Sequence, residues 1–148
     1  MTDADFSERF ERRVADAMLA QANQGSGVPG YLGIRMAEIG PGWCVAELEV
    51  RPDLLNPFGA AHGAVLASLV DHVLGSAVIA IVPIGTWPAT LEFKLNYLAP
   101  ARVGTLSARA EVRSISSRTA VVNVECTNGG RVVGTALGTI ALVPPKPG

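Results

Sequence analysis

The chain has 148 residues, a formal net charge of −1 and 49% apolar residues. That length suits one domain with a real core, and the near-neutral charge argues against nucleic acid as a partner. The only cysteines, Cys44 and Cys126, sit in strand-like patterns without CxxC spacing, so they read as core fillers rather than as a disulfide framework or metal site.

Met1-Thr2-Asp3-Ala4-Asp5 shows no basic region followed by an apolar one, so no signal peptide is expected and the protein reads as soluble and cytoplasmic. Thr2 and Asp5 have the spacing of a capping box, with Asp in place of the usual Glu or Gln. Phe6, Phe10, Val14, Ala17 and Met18 recur at helical spacing, which predicts an amphipathic helix over residues 1–24 packed on the domain's edge. Gly25–Gly30 is a loop by composition. Tyr31–Ile39 and Trp43–Val50 read as two strands of a hairpin around Gly40-Pro41-Gly42.

The loop Arg51–Ala61 leads into the apolar run Ala64–Val82, whose conspicuously polar residues are Ser68, Asp71, His72 and Ser76. The run is long enough for about five helical turns. A helix apolar on every side must be buried on every side. A membrane span is disfavoured because Asp71 and His72 would sit at the bilayer centre and no Lys/Arg cluster flanks the run. A central core helix is therefore expected. Asp71 near its middle must be neutralised, paired or used.

Beyond Pro83 the period changes to two. Leu91, Phe93, Leu95 and Tyr97 alternate with polar residues, and Leu106, Ala108, Ala110 and Val112 form a second apolar face. Thr119–Thr127 and Val132–Val143 are two more strands, with Asn128-Gly129 as a hairpin turn between them. Residues 144–148 form a tail. Four consecutive strands with short turns predict an antiparallel sheet, and one long helix against it an α+β arrangement in a single domain over residues 31–143.

The chain lacks a nucleophile elbow, a zinc helix, a P-loop and a dinucleotide fingerprint. With His62 and His72 as the only histidines, nothing calls for a metal. The candidates are Asn56, His62, Gly63, Asp71, His72 and Thr90. At the helix start the first N–H groups lack intrahelical acceptors and the dipole favours negative charge. Gly63 has no side chain to obstruct its N–H, which suits it to hold an oxyanion; it also suits a simple chain turn. Asp71 has Ala67, Ser68 and Gly75 among its helical neighbours. These leave room for a substrate or water around a carboxyl whose desolvation should raise its pKa toward general-base work. A bond to Ser68 is the structural alternative. His72 faces about 100° away from Asp71 and reads as a packing or subunit-interface residue.

The pattern Asn56-x5-His62-Gly63-x7-Asp71, followed by a strand carrying Thr90, resembles the hotdog-fold acyl-CoA thioesterases, above all the PaaI-like (phenylacetate-pathway) branch. The resemblance spans Tyr31 to Val143 and includes the strand ending Tyr97-Leu98-Ala99-Pro100. It implies a long central helix wrapped by a curved antiparallel sheet, here with an extra N-terminal helix. It also implies Asp71 as base or nucleophile, Gly63 as the amide that polarises the thioester carbonyl, Asn56 and His62 as residues orienting that carbonyl and its loop, and Thr90 as a holder of the water. Ala64 departs from the second glycine of many members, which narrows the approach to the carbonyl. Coenzyme A is implied as the acyl carrier of the substrate and not as a bound cofactor. Arg113 and Arg118 are candidates for its phosphates, and Phe58, Leu66 and Leu74 either line the acyl pocket or fill core. Family members form homodimers with their sheets joined edge to edge, and often homotetramers.

A shared site also follows from geometry. Gly63 and Asp71 are eight residues apart on one helix, roughly 12 Å along its axis, so one straight helix cannot present both to one thioester, and a two-fold dimer is the simplest remedy. Two rivals share the fold. A MaoC-like enoyl-CoA hydratase is suggested by Asp53-Leu54-Leu55-Asn56-Pro57-Phe58, but the spacing of its signature fails. A non-catalytic acyl-CoA-binding module would need no carboxylate at position 71.

Overall fold

The computed structural model describes residues 5–146, so Thr2 of the expected capping box lies outside the described residues. The single helix expected over residues 1–24 is instead a 3-10 turn at Ser7–Arg9 followed by α1 (Arg12–Ala22). The chain bends between them because two contacts pull it inward. Phe6 is buried against Gly42, where a Cβ would collide with its ring. The Glu11 N–H donates to the Ala80 carbonyl at 2.8 Å.

Gly25–Gly30, expected as loop, contains the start of a short helix, α2 (Gly27–Leu32). Its end is a left-handed Gly33 whose N–H caps the Pro29 and Gly30 carbonyls. Tyr31 and Leu32 therefore belong to this helix, and β1 starts later than expected, at Arg35–Gly40. β2 (Trp43–Val50) pairs with it as a hairpin. Then follow α3 (Gly63–Ile79), β3 (Trp87–Tyr97), β4 (Gly104–Ile115), β5 (Thr119–Asn128) and β6 (Arg131–Val143). α3 stops short of Val82, since the chain must leave the helix ahead of Pro83.

All strand pairs are antiparallel, in the order β1-β2-β4-β5-β6-β3. The last four strands are thus not a simple meander. β3 pairs with β6 at one edge and β4 with β2 inside the sheet, so residues 98–103 cross from one to the other. Asn128 anchors this crossover: its Oδ1 accepts the Arg102 N–H at 2.7 Å and its Nδ2 donates to the Arg102 and Thr105 carbonyls. The expected Asn128-Gly129 turn shifts by one residue accordingly. Asn128 pairs with Arg131, and Gly129-Gly130, both at positive φ, make the turn.

The sheet curves round α3. Leu69, Val70, Val73 and Leu74 are fully buried against it, each worth about 1.5–3 kcal/mol of transfer free energy. The inner face is built from small residues, Ala46, Ala108, Ala110 and Ala120, which let the helix settle close. At Gly138 the approach is closest, because a Cβ there would lie 2.8 Å from Leu74 Cδ1. Cys44 and Cys126 are free and buried, and burial pushes both thiols up to about 12. Among the described residues, no helix is long and apolar enough to cross a membrane.

Two expectations about burial are corrected. The alternation at β3 is broken by a bulge between Thr90 and Glu92, which leaves Leu91 exposed while Phe93 and Leu95 turn toward the core. The central helix is not buried all round. Ala64 and Asp71 are exposed, and Ala67, Ser68, His72 and Gly75 only half-buried. β3 is an edge strand, so the sheet ends before it covers that side of α3.

Candidate active site

The residues before α3 are folded by Asn56. Its Oδ1 accepts the N–H groups of Phe58 and Ala60 at 2.9 and 3.2 Å, and its own N–H donates to the Ala60 carbonyl at 2.7 Å. With Oδ1 so engaged the amide orientation is fixed, and Nδ2 is a donor without an acceptor among the described residues. The crossover pins the same loop from outside. The Ala61 N–H donates to the Ala101 carbonyl, and the Arg102 guanidinium donates to the Gly59 carbonyl, both at 2.8 Å.

His62 is the N-cap of α3, and its Nδ1 accepts the Ala64 N–H at 3.0 Å. In that arrangement the ring proton sits on Nε2, a second outward donor. The Gly63 N–H meets no acceptor among the described residues. No acidic side chain occupies the first turn, so the positive end of the helix dipole is uncompensated. Asn56, His62 and Gly63 therefore converge as donors on one open concavity of about 630 Å³, closed on its other side by Tyr97–Ala101.

Tyr97, the last residue of β3, reaches across it. Its Oη donates to the Gly63 carbonyl at 2.9 Å. A Cβ on Gly63 would lie 3.1 Å from that Oη and 3.2 Å from Cζ, so the absent side chain is what admits the ring. The sequence marked Tyr97 only as part of a strand ending. Its partner lies 34 residues away, a contact that no local spacing signals. Arg102, which holds Gly59, escaped notice for the same reason.

Asp71 and Thr90 face elsewhere. With Gly75 and residues Trp87–Phe93 they line a second open groove, of about 640 Å³, along the free edge of β3. The alternative of an Asp71 tied to Ser68 is not what forms, since Ser68 Oγ donates back to the Ala64 carbonyl at 2.8 Å. Asp71 itself is exposed, so the desolvation expected around it is not supplied by this chain. His72 beside it is half-buried, with its Nε2 shielded from solvent and unpartnered among the described residues. Burial lowers its pKa, and the neighbouring Asp71 carboxylate pulls weakly the other way.

The substrate-binding candidates are dispersed. Phe58 stands at the loop tip, 88% exposed. Arg113 sits at the β4 bulge, 3.9 Å from Glu111. Arg118 occupies the β4–β5 turn, level with Thr119, Ala141 and Ala89 across the sheet. Tyr97 lies level with Gly134 and Cys126. Seven residues of β5 separate the two rows, roughly 23 Å. One chain does not bring Arg118 to the Gly63 concavity, and Arg113 is not among the residues that line it. The chain offers two partial constellations, hydrogen-bond donors in one groove and a carboxylate with a hydroxyl in another.

Several of the proteins this chain resembles are named as thioester hydrolases. The sequence profile of the thioesterase superfamily matches residues 58–135, more than half of the chain. A 1,4-dihydroxy-2-naphthoyl-CoA hydrolase of Listeria monocytogenes is 28% identical over 102 residues, covering 69% of this chain and 83% of that protein. A structure of a point mutant of the phenylacetic acid degradation protein PaaI from Thermus thermophilus is 31% identical. It covers 78% of this chain and 97% of its own, with a TM-score of 0.71. The PaaI structure from E. coli shares the fold at a TM-score of 0.80 and 24% identity, covering 95% of this chain and 98% of its own. With the helix, the curved sheet and these likenesses together, the chain belongs to the thioesterase superfamily, as a hotdog-fold thioester hydrolase of the PaaI-like branch.

Proposed function

We propose that the protein hydrolyses acyl-CoA thioesters at a site shared between two copies of the chain. The observation that carries this reading is the separation of the two constellations: donors at Gly63, His62 and Asn56 in one groove, Asp71 and Thr90 in the other. β3 is an edge strand with Trp87, Leu91 and Tyr97 exposed, a surface that invites pairing. Antiparallel pairing of two copies about the middle of β3 sets the Tyr97 end of one beside the Trp87 end of the other. Each donor groove then meets the carboxylate groove of the partner copy.

In such a site the thioester oxygen accepts the Gly63 N–H, with His62 Nε2–H and Asn56 Nδ2–H orienting the carbonyl. Asp71 takes the proton of a water held with Thr90 as the water oxygen bonds to the carbonyl carbon; direct attack by the carboxylate is the alternative entry. Collapse of the tetrahedral adduct breaks the C–S bond and expels the CoA thiolate, which acquires a proton. Pairing would also cover the exposed face of α3 and shield Asp71 and its water from bulk solvent. Coenzyme A enters only as part of the substrate, with Arg113 and Arg118 as candidate phosphate contacts and Phe58 as a wall of the acyl pocket.

The relatives named for 1,4-dihydroxy-2-naphthoyl-CoA and for phenylacetic acid degradation put aromatic acyl groups first among substrates to try. The test is thiol release from aromatic, short, medium and long-chain acyl-CoAs. Release from at least one class, saturating with substrate, is expected. Tight acyl-CoA binding without release from any of them would contradict the reading and favour a binding module.

A further inference from the structure

We infer that Tyr97 is a positioning residue for the oxyanion donor, its hydroxyl and the His62 ring holding the Gly63–Ala64 peptide from both ends. The inference rests on the thioesterase reading for its catalytic consequence, but the clamp itself stands on geometry. The Ala64 N–H of that peptide donates to His62 Nδ1 at 3.0 Å, and its Gly63 carbonyl accepts the Tyr97 Oη at 2.9 Å. The cap bond closes a ring of atoms from the His62 imidazole through Ala64 N and back to His62 Cα. The Gly63 N–H lies within that ring, so the direction of the catalytic amide is set once the peptide after it is fixed.

Helix formation alone does not require the tyrosine. In a regular helix the first carbonyl already has an acceptor role toward the N–H four residues on, and Tyr97 occupies its second lone pair. Nor is the ring part of the single chain's own core, since Tyr97 is 57% exposed there. What the fold has done is leave position 63 without a side chain, so that the hydroxyl of a ring outside that core can reach the peptide. The link runs from the end of the edge strand to the first turn of the central helix. It is the one side-chain hydrogen bond between β3 and α3 among the described residues.

Tyr97→Phe removes the hydroxyl and keeps the ring. For a single hydrogen bond that acts through another group, kcat should fall about three- to tenfold while KM stays within about twofold. The spectroscopic arm uses a feature of the sequence: Gly59-Ala60 and Gly63-Ala64 are its only Gly-Ala pairs. With carbonyl-13C glycine and 15N alanine, a carbonyl–amide correlation spectrum therefore holds two peaks. The Gly63 peak should move upfield in Tyr97→Phe, as a carbonyl does on losing a donor, with Gly59 as the internal control. If the variant does not assemble, 3-fluorotyrosine in the wild-type chain makes Tyr97 a stronger donor and should move the Gly63 peak downfield. An unmoved Gly63 carbonyl overturns the clamp. A moved carbonyl with wild-type kcat, or with the whole loss in KM, overturns the positioning role. Absence of turnover in the wild-type protein would instead fault the thioesterase reading, and the carbonyl shift would still decide the clamp.

Discussion

Asp71→Asn separates chemistry from folding. Asp71 is exposed and makes no hydrogen bond or ion pair with the described residues. Its helical neighbours Ala67, Ser68 and Gly75 are small, so an amide of the same shape meets no clash. The stability of the single chain's fold should therefore change by no more than about 0.5 kcal/mol, the range for surface substitutions. If Asp71 takes the proton from water or attacks the carbonyl, kcat should fall by about 10²–10⁴, which is roughly 3–5 kcal/mol of transition-state stabilisation. The assay is thiol release from the best acyl-CoA substrate, with thermal unfolding and oligomeric state measured on the same preparations. Wild-type turnover in a folded, assembled Asp71→Asn protein would remove Asp71 from the mechanism. A large loss of stability alongside the lost activity would show that the carboxylate is structural.

Thr90→Ala should cost about tenfold in kcat, because a water can be held in other ways; a greater loss than for Asp71→Asn would reverse the two roles. Leu74→Ala, which empties a fully buried site against Gly138, should destabilise the fold by about 2–5 kcal/mol in denaturant titration. His72 has its pKa lowered from 6.5 by burial. Below that pH the unfolded chain takes up a proton that the folded chain resists, so stability is full above about 6.5 and declines as pH falls. The decline from pH 8 to 5 should be shallower in His72→Gln, and equal slopes in the two proteins would show that another group carries it.

How much of this could be read from sequence differs by element, for physical reasons. β2 and the central helix were legible because their apolar spacing reports directly on which faces are buried, and local periodicity survives folding. α2 was not, since Gly25–Gly30 has loop composition and becomes helical only because Pro29 suits a first turn and Gly33 ends it. The order of the strands was invisible. Nothing in the turns says that β3 leaves its sequence neighbour and pairs with β6, yet that choice exposes Asp71 and frees the edge. For the site, the spacing of Asn56, His62, Gly63 and Asp71 carried the resemblance and predicted that one helix could not serve one thioester alone. Tyr97 and Arg102 were missed because their roles are long-range, each reaching a carbonyl that no pattern in the chain identifies.

The central claim, a site assembled from two chains, is tested most directly by mixing two inactive variants. Asp71→Ala lacks the carboxylate, and Gly63→Pro lacks the donor N–H. Proline is tolerated at the first helical position, and His62 before it already has the extended backbone that proline requires, at φ −58° and ψ 139°. The new ring has only the exposed end of Tyr97 to displace. In a mixed dimer one site keeps both intact elements and the other keeps neither. After equal amounts are unfolded and refolded together, half the dimers are mixed and each has one good site of two, so about a quarter of wild-type activity should return. Confirmed mixed dimers with no recovered activity, formed from variants that each fold and pair, would contradict the shared site.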